Sequence, residues 1–164
     1  MKFPEGAVWR APGEGSAVWL LGGLYSYKAR GRETGGAYSL FEVQGPVATP
    51  RHVHEGEDEA FYVASGEVSF LIGDELVKGG PGTFALVPRG VQHGFRLESE
   101  DARLVLLLTP GDAGHEALFE EMGEPAGSHV VPPAPSAPPD AERLAEIAAR
   151  HGTQIVGPPI GEGN

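Results

Sequence analysis

Hydrophobic and polar positions alternate over short stretches through the first two thirds of the chain, and glycine or proline breaks each stretch. Residues 16–29, SAVWLLGGLYSYKA, are rich in β-branched and aromatic side chains and are interrupted by Gly22 and Gly23, which predicts two short strands or one bent strand. The next stretch, 38–44, puts Ser39, Phe41 and Val43 on one face of a strand. Strands are also predicted over 60–65 and 67–72, where Val68, Phe70 and Ile72 alternate with polar or smaller neighbours, and Gly73-Asp74 suits a tight primed turn that makes 67–78 a hairpin. After a corner at 79–82 come strands at 83–87 and 91–97, separated by Pro88-Arg89-Gly90. Residues 103–109, RLVLLLT, form a nearly continuous apolar run expected to be buried on both faces. Short strands at this spacing, with no helical period between them, indicate an antiparallel sandwich or barrel.

The period changes after Gly111. Residues 113–122 carry helical spacing at Leu118, Phe119 and Met122, and 130–139, VVPPAPSAPP, are too proline-rich for helix or central strand and read as an extended linker. Asp140 then offers an N-cap to AERLAEIAARH, with Leu144, Ile147 and Ala148 on one apolar face and Gly152 as a stop. That helix is too short to stand alone, so it is expected to dock on the barrel or on a partner subunit with 155–164 trailing from it. The organisation expected is an arm over 1–15 anchored by Trp9, a barrel over 16–110, and a helix, linker, helix and tail over 111–164.

Composition narrows the chemistry. A chain of 164 residues suits one domain with an appendage, and with no cysteine any metal must be held by nitrogen and oxygen. A net charge of -11 argues against nucleic acid as a partner. The first residues lack the apolar core of a signal peptide and 17–24 is too short to span a bilayer, so no membrane association and a cytoplasmic address are expected.

The candidate chemistry lies in 45–66, GPVATPRHVHEGEDEAFYVASG. His52 and His54 are two apart, so in an extended segment both imidazoles face the same side. His93, beyond a second Gly/Pro-punctuated strand, completes a site if the sheet closes on itself. Among the nearby acids, Glu55 would point away from His54, Glu57 and Asp58 read as loop residues, and Glu59 stands at the start of a strand that can hold it rigidly. His115, His129 and His151 take the ordinary reading of helix and linker residues and are not ligand candidates.

Gly45, six residues, His52, one residue, His54, four residues, Glu59, six residues, Gly66, followed by Gly82, five residues, Pro88, one residue, Gly90, two residues, His93, resembles the two signature motifs of the cupin superfamily. Two departures are visible: the family usually has five residues before the first histidine, and its second motif often ends on an asparagine where this chain has Leu97. The resemblance implies an all-β, cupin-type antiparallel jelly-roll barrel with a C-terminal helical appendage. It also implies one divalent transition metal ion (Fe, Mn, Co, Ni, Cu or Zn) held by His52, His54, Glu59 and His93. Three imidazoles and a carboxylate leave one or two coordination positions open.

With the helix around GHEALFEE, the proline linker and PPDAERLAEIAARHG, the chain from Tyr38 onward is similar to bacterial monocupins of the quercetin 2,3-dioxygenase type. That similarity implies cleavage of a flavonol or related aromatic enol by dioxygen with release of carbon monoxide, and Glu59 as both ligand and proton acceptor. The expected partners are a small hydrophobic or aromatic substrate, dioxygen and a second copy of the chain in a homodimer. The alternatives are a non-oxidative metal-dependent cupin, such as a polyketide cyclase or isomerase, and a metal-containing small-molecule-binding module. Phe41 or Leu40, Phe61, Val63, Phe70, Phe84, Phe95 and Leu106 are expected to point inward, most of them as plain barrel core, and Arg51 and Arg89 flank the ligand stretches, where holding a substrate anion and keeping the loops soluble explain them equally well.

Overall fold

A computed structural model describes residues 3–161. The larger part is built of β1 (Ala17–Leu20), β2 (Gly23–Ala29), β3 (Ser39–Gln44), β4 (Pro50–His54), β5 (Asp58–Ser65), β6 (Val68–Ile72), β7 (Glu75–Gly79), β8 (Phe84–Val87), β9 (His93–Leu97) and β10 (Arg103–Thr109). The C-terminal segment adds α1 (His115–Met122), the two-residue β11 (Glu124–Pro125), α2 (Ala141–Arg150) and β12 (Thr153–Pro159). Two antiparallel sheets face each other, one in the order β11-β1-β2-β3-β10-β5-β8 and one in the order β12-β4-β9-β6-β7. The fold is an all-β jelly roll with a C-terminal helical appendage. Among the described residues, no helix is long and apolar enough to cross a membrane.

Alternation built the core as the sequence demanded. Phe41 and Val43 on β3, Phe61 and Val63 on β5, and Leu104, Leu106 and Leu108 on β10 are all buried between the sheets. The β6–β7 hairpin turns at Gly73, whose φ of 59° is the positive value such a turn requires. Residues 103–109 depart from the expectation of two equally buried faces: the even-numbered leucines are buried, while Val105 and Leu107 are only half-buried. β10 lies between β3 and β5, with one face toward the core and the other toward the outside of the sheet.

Three other expectations are corrected. Phe84 is 64% exposed, because Val87 on the same short strand pairs with inward-facing Glu59, and this parity turns Phe84 to the outer face opposite Tyr62. Trp9 is 66% exposed and stacks on Phe3; the arm is fastened instead by Arg10, which donates to the Lys28 carbonyl and to Glu33. Finally, the stretch expected to trail after α2 folds back as β12 and pairs with β4, setting Thr153 opposite His54 and Ile155 opposite His52. The remainder of that expected tail, 162–164, lies outside the described residues.

Candidate metal centre

β4 carries the two histidines on one face, as the two-residue spacing requires, and that face looks across the barrel. β9 pairs with β4 so that His93 is directly opposite His52. Glu59 comes from the other sheet, at the second position of β5, with Phe61 and Val63 on the same inward side. The loop between His54 and β5 shifts the inward parity from even to odd numbers. Across the Pro88–Gly90 turn, Asp58 accepts hydrogen bonds from the Arg89 backbone and guanidinium, and the Gly90 N–H donates to the His54 carbonyl at 2.8 Å. Arg89 is thus committed to holding the turn. The extra residue after Gly45 is absorbed before the ligands: Val47 N–H closes a tight turn on the Gly45 carbonyl, and residues 47–49 then pair with β9.

One ligand-type atom from each of His52, His54, Glu59 and His93 lies within 4.8 Å of the other three. His54, Glu59 and His93 are 1–2% exposed and His52 is 9% exposed. The other side of each imidazole is already engaged. His52 Nδ1 is 2.7 Å from the Pro50 carbonyl and His93 Nδ1 is 3.0 Å from the Val91 carbonyl, so both nitrogens are donors. His54 Nδ1 faces Glu57 Oε2 and Thr153 Oγ1, each at 3.4 Å.

With Nδ1 protonated, the Nε2 of a neutral imidazole is a lone pair, and here His54 and His93 place Nε2 3.0 and 2.8 Å from the same oxygen, Glu59 Oε2. Acceptors converge on acceptors, which is stable only with protons or a cation between them. The donor set fits a divalent transition metal, with the histidine tautomers already fixed for Nε2 ligation.

The electrostatics of the metal-free cluster agree. Burial, followed by repulsion from His93 and His54, pushes the pKa of His52 down to about 3. For His54, burial opposes the charged form, but Glu57 and Glu59 on either side outweigh it and raise the pKa to about 9. Burial also disfavours charge on both acids, yet the flanking histidines hold Glu57 at about 2 and Glu59 well below the usual carboxylate range. The proton that the two carboxylates favour on His54 lies between Nε2 and Glu59 Oε2 and stands in for the cation the cluster calls for.

Beside the cluster is a cavity of about 60 Å³ whose walls include His52, Glu59, Tyr25, Leu106, His115 and Leu144. It shares Leu21, Pro50, Leu144 and Ile155 with a groove of about 960 Å³ between the barrel and residues 135–147. Phe41, Phe61 and Phe70 of the expected inward set are buried as core. Tyr25 was not anticipated from sequence. It is 1% exposed, and burial together with the Glu59 charge raises its pKa, so the phenol keeps its proton.

The structure revises two further readings. Glu57 is in the loop before β5, as expected, but is 3% exposed; His115, set aside as an ordinary helix residue, is 5% exposed and bonded to it. Their alternation carries no signal, because His115 reaches the site through the tertiary placement of α1. A histidine at the first position of a helix, directly after Ala113 and Gly114, was the hint.

A jelly roll with three histidines and one glutamate converging between its sheets defines the cupin class, and residues 39–110 match the cupin domain family. Residues 39–110 thus make up a cupin domain. It is similar to quercetin 2,3-dioxygenases: it is 30% identical to that of Bacillus subtilis over 140 residues, 83% of this chain and 41% of the relative, and 28% identical to that of Aspergillus japonicus over 109 residues, 61% of this chain and 31% of the relative. The chain therefore spans less than half the length of either enzyme. Among solved structures, Pac13, a nucleoside dehydratase from Streptomyces, shares the fold, with 15% identity, a TM-score of 0.54, and coverage of 73% of this chain and 92% of its own.

Proposed function

We propose that this cupin is a metal-dependent dioxygenase of the quercetinase type, cleaving a flavonol or a related aromatic enol. The observation that carries the reading is the convergence of His52, His54, Glu59 and His93 beside an apolar cavity, in a chain similar to quercetin 2,3-dioxygenases. A divalent transition metal held by these four residues would supply a Lewis-acidic centre for an enolate oxygen and for dioxygen.

The protein's own groups divide the remaining work. Both histidine contacts of Glu59 fall on Oε2, which leaves Oε1 to take the hydroxyl proton of the substrate. Tyr25, held protonated in the same cavity, is a donor for the developing oxyanion. The inner cavity of about 60 Å³ has room for about two waters, whereas a drug-sized ligand needs roughly 300 Å³ or more. On this reading the reacting ring edge enters the inner cavity and the rest of the substrate lies in the outer groove, against Leu21, Pro50, Leu144 and Ile155. The proline linker, tied down by a hydrogen bond from Trp19 Nε1 to the Val130 carbonyl, walls that groove.

The test is oxygen uptake by protein loaded in turn with iron, manganese, cobalt, nickel, copper or zinc, across flavonols, catechols and diketones. Uptake with at least one flavonol, lost in Glu59→Ala and on chelation, is the expected result. Turnover of an aromatic substrate under anaerobic conditions, with no uptake in air, would replace this reading with the non-oxidative one.

A further inference from the structure

A second group of buried side chains touches the first. His54, Glu57 and His115 place their ligand-type atoms within 4.8 Å of one another, and they join the barrel to the C-terminal segment. Glu57 grips the start of α1 with both oxygens: Oε1 accepts from the His115 backbone N–H at 3.1 Å, and Oε2 is 3.0 Å from His115 Nδ1, which must donate because the carboxylate has no proton to give. The same Oε2 stands 3.4 Å from His54 Nδ1, with Thr153 Oγ1 of β12 also at 3.4 Å.

α1 begins at this point for a local reason. Gly114 caps it at φ 130°, and a Cβ there would come within 2.9 Å of the His151 carbonyl, so only glycine lets the helix start close enough to present His115 to Glu57. His115 then lies edge-on against Phe119, with ring centroids 4.6 Å apart.

We infer that Glu57 and His115 are positioning residues for the metal centre: Glu57, oriented by His115, holds His54 with Nδ1 protonated and Nε2 turned toward Glu59 and His93. His52 and His93 are each held by the backbone carbonyl of the residue two positions earlier in the chain, whereas His54 has no such carbonyl and takes its orientation from a carboxylate. The C-terminal segment is thereby part of the site. A carboxylate behind a ligating histidine fixes its tautomer and raises its basicity, and losing such a partner typically costs 10–100-fold in metal affinity. A second metal ion at His54, Glu57 and His115 is disfavoured, since both Glu57 oxygens already accept hydrogen bonds from α1.

The inference rests on the metal reading above, and zinc titration against a chromophoric chelator, with the full chain stripped of metal, tests the two separately. Wild type is expected to take up one zinc per chain. Glu57→Ala should weaken zinc binding about 10–100-fold. His115→Leu, which keeps packing volume against Phe119 but loses the donor, should weaken it in the same direction, while His115→Asn, whose amide nitrogen stands where Nδ1 stood, should restore most of the loss. Circular dichroism confirms that each variant is folded. Affinity within about twofold of wild type in both Glu57→Ala and His115→Leu would overturn the positioning role while leaving the four-residue site intact. Two zinc ions per wild-type chain, falling to one in Glu57→Ala, would show the pair to be a metal site in its own right and also overturn it. A wild type that takes up no zinc, iron, manganese, cobalt, nickel or copper would overturn both readings at once.

Discussion

Two clusters share His54 and differ in what they lack. The inner one, His52, Glu59 and His93 with His54 Nε2, brings acceptors toward a single point and calls for a cation; the outer one, Glu57 and His115 with His54 Nδ1, is already closed by hydrogen bonds. The inner cluster is drawn from strands of the barrel, and the outer one spans the barrel and the C-terminal segment. On the proposed reading, the difference separates ligation from support and gives the appendage the part of orienting His54.

The largest effect expected is on the inner cluster. Glu59→Ala or His93→Ala should lower metal affinity beyond the ~100-fold that bounds the loss of a supporting residue, read as metal retained per chain after desalting. If Glu57→Ala proves as damaging as Glu59→Ala, the division between the clusters breaks down. Next comes the packing that holds the appendage in place. Ile147, 4% exposed on α2, should cost ~2–5 kcal/mol of unfolding free energy as Ile147→Ala, measured by urea denaturation.

The metal-free protein should also show a pH signature. His54 titrates at about 9 when folded and near 6.5 when unfolded, so its contribution is full below about 6.5 and is lost as pH rises toward about 9. Glu57, at about 2 against an ordinary 4.5, contributes above about 4.5 and loses that contribution as pH falls toward 2. His52, buried neutral at about 3, adds a loss as pH falls from 6.5 toward 3. Denaturation midpoints after chelation should therefore peak near pH 6.5, and the alkaline decline should shrink in Glu57→Gln, where one of the two carboxylates that favour charged His54 is gone. A midpoint flat from pH 6.5 to 9 would contradict the paired state of His54. The smallest effect is at the entry to α2, where the Asp140 side chain accepts from the Arg143 N–H at 3.1 Å: Asp140→Ala should cost about 1 kcal/mol and leave metal affinity unchanged.

The inner cluster was legible in the sequence because a local signal, two histidines on one strand face, was joined by the cupin-like motif spacing that adds Glu59 and His93. Alternation sets His52 and His54 on one face, glycine and proline mark the strand ends, and Glu59 heads the next strand. The outer cluster was not legible, because it depends on how far α1 can approach a loop 58 residues earlier, which Gly114 permits and no period announces. For the same reason β12 was read as a tail: TQIVGPP is glycine- and proline-rich for a strand, and its place beside β4 is fixed by α2 docking, with register shifts at Gly157 and Pro159. Phe84 misled for the opposite reason, since a large apolar side chain suggested the interior and the parity imposed by Glu59 and Val87 overrode it.

The most direct test is anomalous diffraction at the absorption edge of the metal from crystals of the reconstituted protein. A single peak is expected between the two sheets, about 2.0–2.2 Å from the Nε2 atoms of His52, His54 and His93 and from an oxygen of Glu59. A peak elsewhere, or a fully loaded site in which any of these four residues stays out of coordination range, would contradict it.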